Sequence, residues 1–370
     1  MRRHTTWIAL AMATAFLTSA CSSSGSSTPE ETASPTATAA ASTPTTDDDS
    51  ESAAPDPLAP KPLAERATLR VGLAAYVEAF APVLLANELG ELEKENIEVE
   101  IFNALPSDVL LLLSQGKADV SAFAVDAGIF NAVERGIDIR WVSALLEVPD
   151  DTREGFIVST DLYDGPPEEF DFSLLEGQSI AVPRAGLASA QTYDLMTALE
   201  KGGLTLDDVT LVPSSNPDHV TAIESGAVQA INAEVDPFAS QIIDAGNGQL
   251  VQPLKDDIAT GGYFMRAGLT AEEREVGEAF MRALIRTNET YLQPGYHDDP
   301  EVVAALSKVL DAPEDAIASA PEKVFSFPIP EGSFQTLQDM FLELGQVEYD
   351  EPLDRSQMVD ESLVEAVLGS

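Results

Sequence analysis

From Thr68 onward, short apolar runs alternate with amphipathic stretches of helical period, which is the pattern of an α/β sheet. Leu69-Arg70-Val71-Gly72 reads as a strand, and Pro82 to Leu92 as a helix with Val83, Leu84, Leu85, Leu89 and Leu92 on one face. Ile97 to Phe102 alternates as a second strand. Ser107 caps a helix that Gly116 stops. Val120 to Ala124 is a third strand, a helix then ends at Gly136, and Ile139 to Leu145 forms a fourth strand.

A second round begins near Phe172. Ser179 to Val182 is a strand, Ser189 opens a helix that Gly202-Gly203 closes, Val209 to Val212 is a strand, and Pro217 to Ser225 is a helix stopped by Gly226. The two rounds can be laid over each other. Ser114 to Ala122 matches Glu224 to Asn232, and a Val-Asp pair follows each at the same offset: Val125-Asp126 and Val235-Asp236. Open sheets bind ligands beyond the carboxyl ends of their strands, so two related lobes would put Asp126 and Asp236 on facing rims. After about Tyr263 the pattern turns helical. Thr270-Ala271-Glu272-Glu273 reads as a capping box opening a helix to Tyr291, with further helices at Pro300 to Leu310, Phe334 to Leu344 and Gln357 to Leu368.

The first residues follow another rule. Arg2 and Arg3 precede an apolar run from Trp7 to Leu17 and then Thr18-Ser19-Ala20-Cys21, the layout of a secretory signal peptide. Cys21, the only cysteine, stands where this layout resembles the lipobox of exported bacterial lipoproteins. Lipidation of Cys21 would hold the protein at the extracytoplasmic face of the cell membrane and leave no thiol for a disulfide. Residues 22–66 are rich in Ser, Thr, Pro, Ala and acid, including Asp47-Asp48-Asp49. Such a segment cannot offset its ordering entropy and is expected to be a disordered, extended linker. No later apolar stretch is long enough to span a bilayer.

With 63 acidic residues against 20 basic ones, the formal charge of −43 opposes nucleic acid and anionic lipid as partners. Catalytic chemistry is poorly served. His4 leaves with the signal, His219 and His297 are too far apart to suggest a metal pair, and no phosphate loop, zinc-protease motif or nucleophile elbow is present. The chain reads as a non-enzyme without cofactor or metal.

Thr68-Leu69-Arg70-Val71-Gly72, Gly116-Lys117-Ala118-Asp119-Val120, Ser179-Ile180-Ala181-Val182-Pro183, Asp236-Pro237-Phe238 and Met358-Val359-Asp360-Glu361-Ser362-Leu363 occur in an order that resembles one family. It is that of the solute-binding proteins of ABC importers, in the branch handling nitrate, alkanesulfonates, taurine and thiamine-pyrimidine precursors. The resemblance covers about Thr68 to Leu368 and implies an α/β, two-lobed type II periplasmic-binding fold with a helical C-terminal part packing on lobe 1. Family order puts the crossover strands near Gly155 to Ser159 and Gly261 to Arg266. The expected organisation is signal peptide 1–21, linker 22–66, lobe 1 over 67–157, lobe 2 over 158–262, and lobe 1 again over 263–370. The implied partners are a small-molecule solute and ABC permease subunits, with the receptor itself a monomer.

On that fold, loops that follow strands and face the cleft supply the candidate ligand contacts. Lobe 1 offers Tyr76, Glu78, Phe80, Asp126 and Glu147; lobe 2 offers Arg184, Gly186, Ser189, Glu234, Asp236 and Phe238; Tyr263 stands at the hinge. Aromatics can stack on a planar ligand and acids can fix amino groups. Other roles are open to the same residues: Phe80 and Phe238 as core plugs, Asp126 and Asp236 as helix caps, and Arg184 as partner of a nearby acid. At an effective dielectric of about 20, a carboxylate about 4 Å from an anion costs on the order of 4 kcal/mol. Glu78, Glu147, Glu234 and Asp236 outnumber Arg184, which favours a cationic or neutral nitrogen heterocycle, such as a thiamine-pyrimidine precursor, over a sulfonate, taurine or nitrate. Two other classes use the same scaffold: an enzyme, as in eukaryotic relatives of the pyrimidine branch that employ histidine and iron, and a sensor that signals to a membrane partner.

Overall fold

The computed structural model describes residues 56–149 and 151–369. Cys21, the signal sequence and most of the expected linker lie outside the described residues. Along the chain, β1 (Ala67–Leu73), α1 (Ala81–Glu88), β2 (Ile97–Asn103), α2 (Pro106–Ser114), β3 (Val120–Ala124), α3 (Ala127–Glu134), β4 (Ile139–Ala144) and the short β5 (Leu146–Glu147) form a first round. The second round is β6 (Gly155–Ser159), β7 (Ser179–Pro183), α4 (Thr192–Lys201), β8 (Thr210–Ser214), α5 (Asn216–Glu224), β9 (Ala230–Glu234), α6 (Phe238–Asp244) and β10 (Gly248–Pro253). Then follow β11 (Gly261–Arg266), α7 (Arg274–Tyr291), α8 (Pro300–Leu310), α9 (Glu314–Ser319), β12 (Val324–Phe325), α10 (Ser333–Glu343) and α11 (Ser362–Leu368).

Two five-stranded sheets result, ordered β2-β1-β3-β11-β4 and β8-β7-β9-β6-β10. Each has three parallel strands and then one antiparallel strand, β11 in the first sheet and β6 in the second, and β11 comes from beyond the second sheet in sequence. The internal repeat is therefore present in the topology. Gly116 and Gly226 both hold left-handed backbone (φ 63 and 71) where they stop α2 and α5, a conformation glycine adopts without Cβ strain. The chain enters the second sheet at β6 and re-enters the first at β11. The expected lobe boundaries at 157/158 and 262/263 fall inside these strands, each of which belongs wholly to the sheet being entered. In β11, Gly262 is required by its neighbour: a Cβ there would lie 2.1 Å from Nε1 of Trp141.

The helical tail packs on the first sheet, giving the two-lobed fold that the family resemblance implies. Phe280, Leu284 and Leu363 are buried with Leu69, Val71 and Leu73 of β1, while Phe334, Leu337 and Phe341 bury Phe123 and Phe130. The segment at Met358 caps the open edge of β4, with Trp141 N donating to Met358 O at 2.7 Å and Asp360 N to Trp141 O at 3.0 Å.

Two expectations are corrected. The linker was expected to reach residue 66, yet Leu58 and Leu63 pack on the first core and Leu63 N donates to Glu95 O at 3.0 Å. Nor does Thr270 open α7. Arg266 takes both carboxylate oxygens of Glu273 at 2.7 and 2.8 Å, so the box's acid cannot reach back to Thr270, and the helix begins at Arg274.

Candidate functional site

A cavity of about 740 Å³ lies between the two sheets. Its wall is built from Phe80 after β1, the ends of β3 and β4, the crossing segment up to Glu154, the start of α4, Val235 and Asp236 after β9, the loop before β11, and Pro321 to Val324 of the tail. It sits where strands of both sheets end, as open α/β sheets dictate.

One side of the cleft is closed by main-chain contacts. Asp126 and Ser189 form an isolated bridge, Ala190 N donates to Val125 O at 3.0 Å, and Val125 N donates to Thr260 O at 2.9 Å. Ala190 joins the apolar cluster of Phe130 and Trp141, and Tyr193 donates its hydroxyl to Asp257 at 3.1 Å.

Among the described residues, seven carboxylates line the cavity (Glu147, Asp151, Glu154, Asp194, Asp236, Asp256 and Glu322) against three cationic side chains, Arg153, Lys255 and Lys323. Lys323 pairs with Glu154, which also accepts from Asp236 N at 3.0 Å, and Arg153 pairs with Asp244 at 2.7 Å. Glu322 accepts from the backbone N–H groups of Gly295 and His297, both at 2.8 Å. Asp256 accepts from Val148 N at 3.3 Å, and burial raises its pKa above the usual carboxylate range, with Asp257 adding to the rise.

Of the residues expected to meet a ligand, Phe80, Glu147 and Asp236 line this cavity. Phe80 does so from the first core, at 6% exposed. Glu147 is exposed on β5 where that strand pairs with β12, and Asp236 accepts from Ser240 N at 2.9 Å, capping α6. Asp126 caps α3 through Ile129 N at 3.2 Å; burial raises its pKa against that hydrogen bond. Ser189 is buried in the interlobe bridge.

The remaining expected contacts are placed elsewhere. The Glu78 carboxylate is taken by the Tyr296 hydroxyl and, at 2.8 Å, by His297 Nε2. Glu234 is fully buried on β9, bound to His219 Nδ1 at 2.7 Å and to Asn216, so it faces the interior of lobe 2. Tyr263 is 1% exposed within the core of the first sheet, because its side chain falls on the β11 face that packs with Leu73 and Val142. Tyr76 and Arg184 are exposed on turns outside the cavity wall, Gly186 begins a short turn beside Pro213, and Phe238 is half-buried at the start of α6.

The acids and bases that the crossing segments and the tail bring to the cavity belong to no motif in the sequence, and Asp194 is the foremost of the residues that no motif marks. Asp194 lies on the buried stripe of α4 with Leu195, Ala198 and Leu199, and a carboxylate on an apolar stripe is the signal that marks it.

The profile of the family described as NMT1/THI5 like matches residues 78–324. No curated protein matches the sequence. Among solved structures, the periplasmic aliphatic sulphonate binding protein SsuA from Escherichia coli is similar over 81% of this chain and 99% of its own, at 20% identity and a TM-score of 0.60. The alkanesulfonate-binding protein SsuA from Xanthomonas axonopodis pv. citri, bound to MOPS, is similar over 78% and 96% at 20% identity and a TM-score of 0.56. The periplasmic nitrate-binding protein NrtA from Synechocystis PCC 6803 is similar over 82% and 89% at 14% identity and a TM-score of 0.59. At these identities the likeness is one of fold.

Proposed function

The chain belongs to the NMT1/THI5-like family, and from that premise we propose that it is an extracytoplasmic receptor of an ABC importer. It binds a small polar solute between its lobes and presents the closed form to permease subunits, held to the membrane through lipidated Cys21. The observation that carries this reading is the cavity of about 740 Å³ at the strand ends of two facing sheets, a size suited to a small molecule. Movement of one lobe against the other, through the crossing segments on either side of residues 155–253, would let solute enter and leave.

The charge of the wall supports a cationic or neutral nitrogen-bearing solute, such as an aminopyrimidine or thiamine-pyrimidine precursor. Seven carboxylates face three cations, and two of those cations are already paired. A second reading takes an anion, sulfonate or nitrate, on Lys255, which has no salt bridge among the described residues. Calorimetry with thiamine, 4-aminopyrimidine, taurine, methanesulfonate and nitrate separates the two. Micromolar binding of the nitrogen compounds is expected. Binding of a sulfonate or nitrate alone would refute the charge argument and leave the receptor reading in place. Mass spectrometry of solute released from denatured protein tests the receptor reading itself.

A further inference from the structure

Asp194 is 8% exposed and lines the cavity, and among the described residues its carboxylate accepts a hydrogen bond only from its own backbone N–H. Lys255 acts on it without a hydrogen bond, and the other polar groups nearby are occupied elsewhere. Gln252 donates to the main-chain oxygen of Asp194 at 3.1 Å rather than to its carboxylate, and Lys201 Nζ binds the Gln252 side chain at 2.6 Å. Tyr193, the preceding residue of α4, gives its hydroxyl to Asp257. A largely buried carboxylate with no partner from another residue is stabilised further by a cation or by a proton.

We propose that Asp194 receives the cationic group of the solute, which takes the place of the proton on its carboxylate. The proposal rests on the receptor reading and specifies how its site is regulated. The charged groups acting on Asp194 are Lys201 from its own helix and Lys255 and Asp257 from the loop before β11. Asp256 of that loop, Glu147 of β5 and the Lys323–Glu154 pair share the cavity wall. Burial pushes the Asp194 carboxyl up to about 7 and Asp257 adds to the rise, while the two lysines oppose it. In the empty site near pH 7 the group is therefore partly protonated. A permanent cation placed beside it removes that proton, whereas a neutral acceptor would be met by the protonated form and would draw a proton in.

The test is calorimetry of the wild-type protein with thiamine, whose thiazolium is a permanent cation, and with agmatine, a guanidinium of different skeleton. Titrations at pH 7 in phosphate and in Tris give the number of protons exchanged. Release of about half a proton is expected. Affinity should be about tenfold weaker at pH 6 than at pH 8. In Asp194→Asn the proton release and the pH dependence should both vanish, with affinity reduced about 100-fold. The wild-type pH series stands even if the variant folds poorly. Proton uptake, no proton exchange, or no binding of either cation overturns the proposal. Tight binding of methanesulfonate without proton release overturns it while sparing the receptor reading. Protein that releases no solute and binds none of the five compounds named above removes the receptor reading as well.

Discussion

Both ring nitrogens of His297 face acceptors: Glu78 Oε1 at 2.8 Å and the Ala320 carbonyl at 3.0 Å. That arrangement is satisfied fully only by the imidazolium. Burial opposes the charge, but Glu78 together with the Ala320 carbonyl and Glu322 outweighs it and holds the His297 pKa above its ordinary value. A raised histidine contributes stability that is complete below about pH 6.5 and is lost as pH rises through the folded-state value. Glu78→Gln should therefore cost more at pH 5.5 than at pH 8.5 when both proteins are unfolded in urea. An equal loss at the two pH values would show His297 to be neutral in the fold. The sequence marks Glu78 as an acid in the loop after the first strand, but its partners lie more than 200 residues away in the tail, beyond the reach of any local pattern. Tyr263 was hidden for a related reason. A strand's period fixes two faces but does not say which of them meets a cavity and which meets helices.

At the level of elements, α7 is tied to the turn after α1 by buried charge. Arg282 and Arg286, one helical turn apart, bind Glu95 at 2.7 and 2.6 Å, and Arg286 also binds Glu91 at 2.7 Å. Burial alone would raise both carboxyl groups; Lys94 and Arg286 at Glu91, and Arg282 and Arg286 at Glu95, instead hold them below the usual range. The sign is opposite to that of His297. This contribution is present above the ordinary glutamate pKa and is lost as pH falls through the depressed value. Glu95→Gln leaves two arginines short of charge in the interior and should cost about 3–5 kcal/mol in chemical denaturation. Glu98→Gln breaks an exposed pair with Arg66 and should cost no more than about 1 kcal/mol. Similar losses from the two would show that burial does not govern the network. Strands and most helices are legible in the sequence because their apolar period is strong. The start of α7 is not, since Arg266 on another element decides the fate of Glu273. The cavity wall is legible only where it follows strand ends, as at Asp236 and Phe80; its crossing segments carry no periodic signal.

On the scale of the whole molecule, no helix among the described residues is long and apolar enough to cross a membrane, so the proposed attachment rests on Cys21. Cys21→Ser should release the protein to the medium or leave it unprocessed; membrane retention at the mature size, read by fractionation and immunoblot, would contradict the lipid anchor. The order of strands also sets a schedule for synthesis. Every strand of the second sheet is in hand once Pro253 has been made, and its register is local to residues 155–253. The first sheet is begun earlier and finished later, because β11 fills the place between β3 and β4. Until Arg266 emerges, both of those strands present bare apolar edges, the kind that pair with another chain. The lobe that leads in sequence is thus the one that stays incomplete, and this nascent chain is most exposed to misassociation while its trailing lobe is already whole.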